Sequence, residues 1–216
     1  MIAPSPPRAP VHADSSIIHL DVAAIEGLRH LDIPEKVAVT VYEASLVPAV
    51  FLEAVYHLIK AEGSLPRLFW YQETTPHADK GSLQAVTDLC QRGLTLVVWS
   101  QGALAGMLWC TDVVPDEHAH ISVWYLRRHW RHVSPRRVTA AVLMWLCETQ
   151  HLKRVWASTI FPDVVTHACA FGAEVWETIP DYVWYNGQLR DVKILRVTPS
   201  TLRSDVDGSR RIFTEL

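Results

Sequence analysis

The chain has 216 residues, 49% of them hydrophobic, and a formal net charge of -3. That length suits one domain with a sizeable core and an appended arm, and the composition excludes an intrinsically disordered chain. The charge gives no bulk attraction to nucleic acid, which makes a nucleic-acid binder the least favoured function class.

Residues 1–16 read as an extended arm, because Pro4, Pro6, Pro7 and Pro10 favour polyproline II and resist helix formation. No apolar h-region marks a signal peptide, and no run has the length of a transmembrane helix. Residues 17–31 are mixed apolar, with a small helix expected near 22–28. Residues 36–43 (KVAVTVYE) alternate and are β-branched, so a strand is expected. Ser45 is a candidate N-cap for a helix over 46–61, where Val50, Phe51, Ala54, Val55 and Leu58 have helical spacing and Gly63 marks the end. Ser82 caps a second helix over 83–91, with Gly93 as its stop.

Residues 94–99, 103–111 and 119–126 then read as an antiparallel meander. The next stretch, Trp130-Arg131-His132-Val133-Ser134-Pro135, joins this meander to an amphipathic helix ending near Gln150. Ser134 suits the N-cap and Pro135 the first helical position. Val138, Ala141, Val142, Trp145 and Leu146 form a stripe for core packing. A strand over 154–160 follows. A loop at a helix start in this order is a natural anion site, and Arg127, Arg128, Arg131, Arg136 and Arg137 cluster around it with His129 and His132. A solvated basic surface is the other reading of that cluster. A short helix over 163–170 ends at Gly172. Strands over 173–178 and 182–197 close the domain, with Asn186-Gly187 as a hairpin turn. The organisation is an arm (1–16), one domain (17–197) and a polar tail (198–216).

Cys90, Cys110, Cys147 and Cys169 form no CxxC pair, so buried thiols in a reducing, cytoplasmic compartment are expected. His118 and His120 share a strand face but lack a third ligand, so no metal is assigned. Trp99, Trp109, Trp124, Trp156, Trp176 and Trp184 all fall on expected strands. Alternation turns some of them outward, which points to protein partners or a homo-oligomer held through the arm and these rings.

Residues 94–197 resemble the GNAT superfamily of acyl-CoA N-acyltransferases. The resemblance rests on Trp145, Glu148-Thr149, Leu152-Lys153-Arg154-Val155-Trp156-Ala157, the turn Phe171-Gly172-Ala173, and the hairpin Asn186-Gly187-Gln188-Leu189-Arg190-Asp191-Val192. It looks closest to the branch acting on protein or peptide amines and to acetyltransferase-like proteins of tailed phages. It implies an α/β (α+β) fold with a GNAT-like mixed, largely antiparallel sheet flanked by helices. It also implies acetyl-CoA as cofactor, with Val123, Trp124 and Tyr125 offering strand-edge groups to its pantetheine arm.

Counting back from Trp145 and Glu148-Thr149 places Trp130 to Pro135 on the family's diphosphate loop, Gln/Arg-x-x-Gly-x-Gly/Ala. Val133 and Pro135 then hold its two small-residue positions. Valine crowds the backbone's approach and proline removes an N–H. Arg131, His132, Ser134, Arg136 and Arg137 remain as cofactor ligands. Glu117 is the candidate base, and Cys169 or His167 the candidate acid. Two functions stay open. One is acetyl-CoA-dependent transfer to an amine. The other is a catalytically inactive, cofactor-free member of the fold serving assembly, such as a phage virion component.

Overall fold

Eight strands form one sheet in the order β1-β2-β3-β4-β5-β6-β8-β7. The computed structural model describes residues 18–21, 37–43, 46–71 and 82–202, and the backbone alone at 18–21, 131 and 132. The proline arm, the helix expected at 22–28, Ser45 and residues 203–216 lie outside the described residues. β1 (Ile18–Asp21), where no strand is expected, β2 (Val37–Glu43), β3 (Gly93–Ser100), β4 (Ala103–Val114) and β5 (His118–Tyr125) run antiparallel. β5 and β6 (Arg154–Thr159) are parallel, as a helical crossover requires. β6 pairs antiparallel with β8 (Gln188–Val197), and β8 with β7 (Glu174–Tyr185). The sheet is therefore mixed and largely antiparallel, as expected.

The strand expected over 173–178 runs on to Tyr185 and takes in the start of the stretch expected over 182–197, whose remainder after the Asn186-Gly187 turn is β8. β7 runs unbroken through Pro180, because it is the sheet's edge and its register slips between Ile179 and Val183. An edge strand with a bulge tolerates a residue that lacks an N–H. Asn186 and Gly187 both have positive φ, 50° and 74°, the tight turn that glycine makes cheap.

The helices on the two faces include α1 (Ala49–Ala61), α2 (Leu65–Leu68), α3 (Leu83–Gln91), α4 (Trp130–Val133), α5 (Pro135–Thr149) and α6 (Pro162–Cys169). α1 starts after Pro48, whose carbonyl accepts the Phe51 and Leu52 N–H groups. The Ser82 hydroxyl accepts the Ala85 N–H at 3.1 Å, the expected cap of α3. On one face Val39, Leu96, Leu108, Ile121, Val155 and Leu195 pack with α5. On the other Val97, Met107, Trp109 and Trp124 pack with Leu52, Val55 and Ile59 of α1 and Val86 of α3. Burying these chains supplies the main stabilisation, roughly 1.5–3 kcal/mol for each large aliphatic side chain.

α5 is buried on more than one stripe: Thr139, Ala140, Leu143, Met144 and Cys147 are buried beside the expected positions, and Trp145 is only half-buried. Part of the extra cover comes from residues 199–202, a helical turn whose Leu202 is fully buried in the same core.

Candidate functional site

β5 and β6 pair over three rows only, His118–Arg154, Ala119–Val155 and His120–Trp156. Beyond them each strand stays with its outer neighbour. β5 follows β4 to the Tyr125–Gly106 row, and β6 follows β8 to Thr159–Lys193. The C-terminal halves therefore part, and a cleft opens between 121–125 and 157–159. Gly106 lets this happen closely, because a Cβ there would strike the Tyr125 ring. The Tyr125 side chain is buried and its hydroxyl shares a 3.1 Å hydrogen bond with that of Thr139, tying the end of β5 to α5. Burial pushes this phenol's pKa upward, which keeps it protonated.

The Leu126 N–H donates to the Ala105 carbonyl at 2.9 Å. Alternation then turns the backbone groups of Ile121, Val123 and Tyr125 away from β4 and into the cleft. The Trp130 indole donates to the Tyr125 carbonyl at 3.4 Å, so Val123 is the central exposed edge. Trp124 departs from the sequence reading: its backbone turns to β4, and what it brings is a buried indole whose Nε1 has no hydrogen-bond partner among the described residues. By the same alternation Ser122 and Ser158, both half-buried, lie on the α1 side of the sheet where the strands part. His120 sits one step below, at the floor of the cleft. Burial lowers its pKa, with Asp112 opposing, so the imidazole is neutral near pH 7.

Residues 62–67 span the mouth. Just past β5, the Arg127 N–H donates to a Glu62 carboxylate oxygen at 3.3 Å. Just past β6, Arg67 donates to both Asp163 carboxylate oxygens, at 2.8 and 2.7 Å, with its guanidinium 4.5 Å from the centre of the Phe161 ring. Trp70 then packs with Val183 and Val192 of the β7–β8 hairpin. Nothing in the periodicity links residue 67 to residue 163. The Gly63 helix stop is the one local sign that the chain turns here.

The loop before α5 differs from its sequence reading. Val133 is fully buried in the core, so its side chain does not crowd the surface. Ser134 adopts a left-handed conformation, φ 47°, and its side chain makes no cap bond. Its carbonyl instead accepts the Arg137 and Val138 N–H groups at 2.9 and 3.2 Å. Pro135 takes the first helical position, as expected. The first turn carries Arg136 and Arg137 and no acidic residue, so positive charge stands on the positive end of the helix. The side chains of Arg131 and His132 lie outside the described residues. Arg128 lines a separate depression of about 310 Å³ with Ser100, Gln101, Ala103 and His129, beside the β3–β4 turn.

The three candidate catalytic residues do not meet at the cleft. Glu117 lies at the opposite, paired end of β5 and β6, where it bonds Lys153 at 2.7 Å and stands 3.9 Å from Arg154. The Lys153 hydrogen bond and charge hold its carboxyl below the usual range. Cys169 is exposed near the end of α6, which returns toward that same end, whereas the other three thiols are buried as expected. Cys110 is pushed up to about 12 by burial and by Cys147. His167 packs 6.0 Å from the Phe171 ring, and burial followed by the nearby Arg136 charge lowers its pKa against Asp163. It therefore belongs to the α5 start, not to the cleft floor. No group of three metal-ligating side chains occurs among the described residues, nor does a helix there have the length and hydropathy to cross a membrane.

No family model matches the chain, and no curated protein matches it by sequence. Solved structures do. RimJ of Mycobacterium smegmatis, in complex with CoA-disulfide, superposes with a TM-score of 0.60 at 16% identity, covering 83% of this chain and 92% of that one. The spermidine/spermine N-acetyltransferase SpeG of Vibrio cholerae gives 0.58 at 16% identity, covering 77% and 96%. RimL, a ribosomal L7/L12 alpha-N-protein acetyltransferase, gives 0.57 at 11% identity, covering 77% and 92%. The fold is that of the GNAT acetyltransferases.

Proposed function

We propose that the chain is an acyl-CoA-dependent N-acyltransferase whose reaction takes place in the cleft between β5 and β6. The observation that carries this reading is the parting of two parallel strands that each remain bonded to an outer neighbour. An open strand edge binds an extended, amide-bearing chain by adding it as a further strand. The exposed Val123 edge suits the amides of a pantetheine arm. Arg136 and Arg137 at the positive end of α5 suit a diphosphate. An acyl-CoA would supply the acyl group as an activated thioester.

The chain's own residues then do the proton work. His120, neutral at the cleft floor, takes the proton of the attacking amine, directly or through water, and would return it to the sulfur released as the thioester C–S bond breaks. Ser122 or Ser158 donates a hydrogen bond where negative charge develops. Glu117 and Cys169 have no part in this scheme, because they lie at the paired end of the strands. The expected result is CoA binding by calorimetry, and amine acetylation whose rate falls at least tenfold in His120→Gln with little change in CoA affinity. No binding at millimolar CoA would sink the proposal.

A second reading is favoured by one observation. Pro135 has no N–H and two of the next three amides donate to Ser134, so the helix start offers few donors to a diphosphate. On that reading the fold is kept without catalysis. No CoA binding at millimolar concentration, together with no turnover on a panel of peptide and polyamine acceptors, is its signature.

A further inference from the structure

The β7–β8 hairpin outruns the rest of the sheet. β6 leaves it at the Thr159–Lys193 row, and the rows nearer the turn pair only β7 with β8. Inside this free part, Val183 and Val192 turn to one face and are buried with Trp70. Trp184 and Leu189, paired across the strands, turn to the other, with Tyr182 two residues before Trp184 on the same side. All three are open to solvent, at 53%, 49% and 63%. Two carboxylates edge the patch: the Asp181 N–H donates to the Asp191 side chain at 3.1 Å, which fixes both beside Tyr182. A protruding aromatic face bordered by acids has the chemistry of a receptor for a polyproline segment carrying one cation.

We propose that residues 4–10 of one copy of this chain dock on the Tyr182–Trp184–Leu189 face of a second copy. The segment reads Pro4-Ser5-Pro6-Pro7-Arg8-Ala9-Pro10. Polyproline II repeats every three residues, so in that conformation Pro4, Pro7 and Pro10 would share one ridge with Arg8 beside it. The ridge stacks on the two rings at low entropic cost, and Arg8 meets Asp181 and Asp191.

Reach assigns the contact to a second copy. The arm enters at β1, and the receptor face is on β7, at the opposite edge of an eight-stranded sheet. Seven strand spacings amount to about 34 Å. The eight residues from Pro10 to Ile18 extend over at most about 28 Å, before any path around the covering helices is added. Head-to-tail exchange of arms then links copies without needing the cleft, and the contact is independent of catalysis.

Light scattering on the full chain at micromolar concentration tests this. Self-association is expected, weakened at least tenfold by the triple change Pro4→Ala, Pro7→Ala, Pro10→Ala and equally by Trp184→Ala. Trp184 lies outside the core, and unchanged far-ultraviolet dichroism and Tm check that each variant stays folded. A peptide of residues 1–14 in excess should dissociate the assembly. Arg8→Asp should weaken it, and adding Asp181→Arg with Asp191→Arg to that chain should restore it. A monomeric wild-type chain overturns the proposal, as does an assembly indifferent to the proline and Trp184 changes or a charge exchange that restores nothing.

Discussion

Among the described residues, His120 and His167 are the imidazoles whose surroundings disfavour a proton. Burial is the first cause in both, and Arg136 adds to it at His167. Their folded pKa values lie below the ordinary 6.5, so between that value and the folded one the unfolded chain binds more protons. Stability from these sites is complete above about pH 6.5 and is lost as pH falls below it. Thermal unfolding followed from pH 7.5 to 5 should show Tm falling through this window, with a shallower fall in His120→Gln; an unchanged slope would remove His120 from the account. Val133 makes a second case. As a surface residue it would crowd an anion, but it is fully buried, so its replacement reads out packing. Val133→Ala should cost about 2 kcal/mol in denaturant unfolding without improving CoA binding. A gain in affinity would instead return Val133 to the loop surface. The sequence count placed Val133 in the loop, but which way its side chain points depends on Ser134's left-handed backbone, and serine carries little signal for that conformation.

At the scale of elements, what could be read was what is local. Alternation marks β2 to β5, Ser82 caps α3, Pro135 opens α5, and Asn186-Gly187 turns the last hairpin, each through chemistry contained in a few neighbouring residues. The strap across the cleft is not local. It exists because Glu62 and Arg67, on either side of a helix break, reach partners 65 and 96 residues away. The Arg67–Asp163 pair is bidentate but well exposed, 39% and 68%, so solvent screening limits its contribution to about 0.5 kcal/mol. Its effect should be positional. Asp163→Asn is expected to leave global stability nearly unchanged while raising amide exchange in 62–71, measured by hydrogen–deuterium exchange. Equal exchange in both forms would mean that Trp70 alone holds the strap.

At the scale of the molecule, the parting of β5 and β6 follows from no single residue. β5 is committed to β4 by a register that continues to Gly106, and β6 to β8 by one that continues to Lys193. Two halves of a twisted sheet, each internally complete, can share only their three common rows. The resemblance in residues 94–197 implied this architecture. Its candidate base and acid are positions along the chain, and the fold places Glu117 and Cys169 at the paired end of the strands, away from the parting of β5 and β6. The cleft's use can be tested without touching its side chains. The Val123 N–H faces the opening and takes no part in the β4 ladder, so proline there removes one edge donor and spares that ladder. A ligand binding only the native state at one hundred times its Kd stabilises by about 2.7 kcal/mol. Val123→Pro should therefore unfold slightly below wild type in the absence of CoA and lose most of the CoA-induced rise in Tm. Retention of the full rise would show that the cofactor does not add to the β5 edge, and the cleft would have to be read as a structural consequence of the two registers alone.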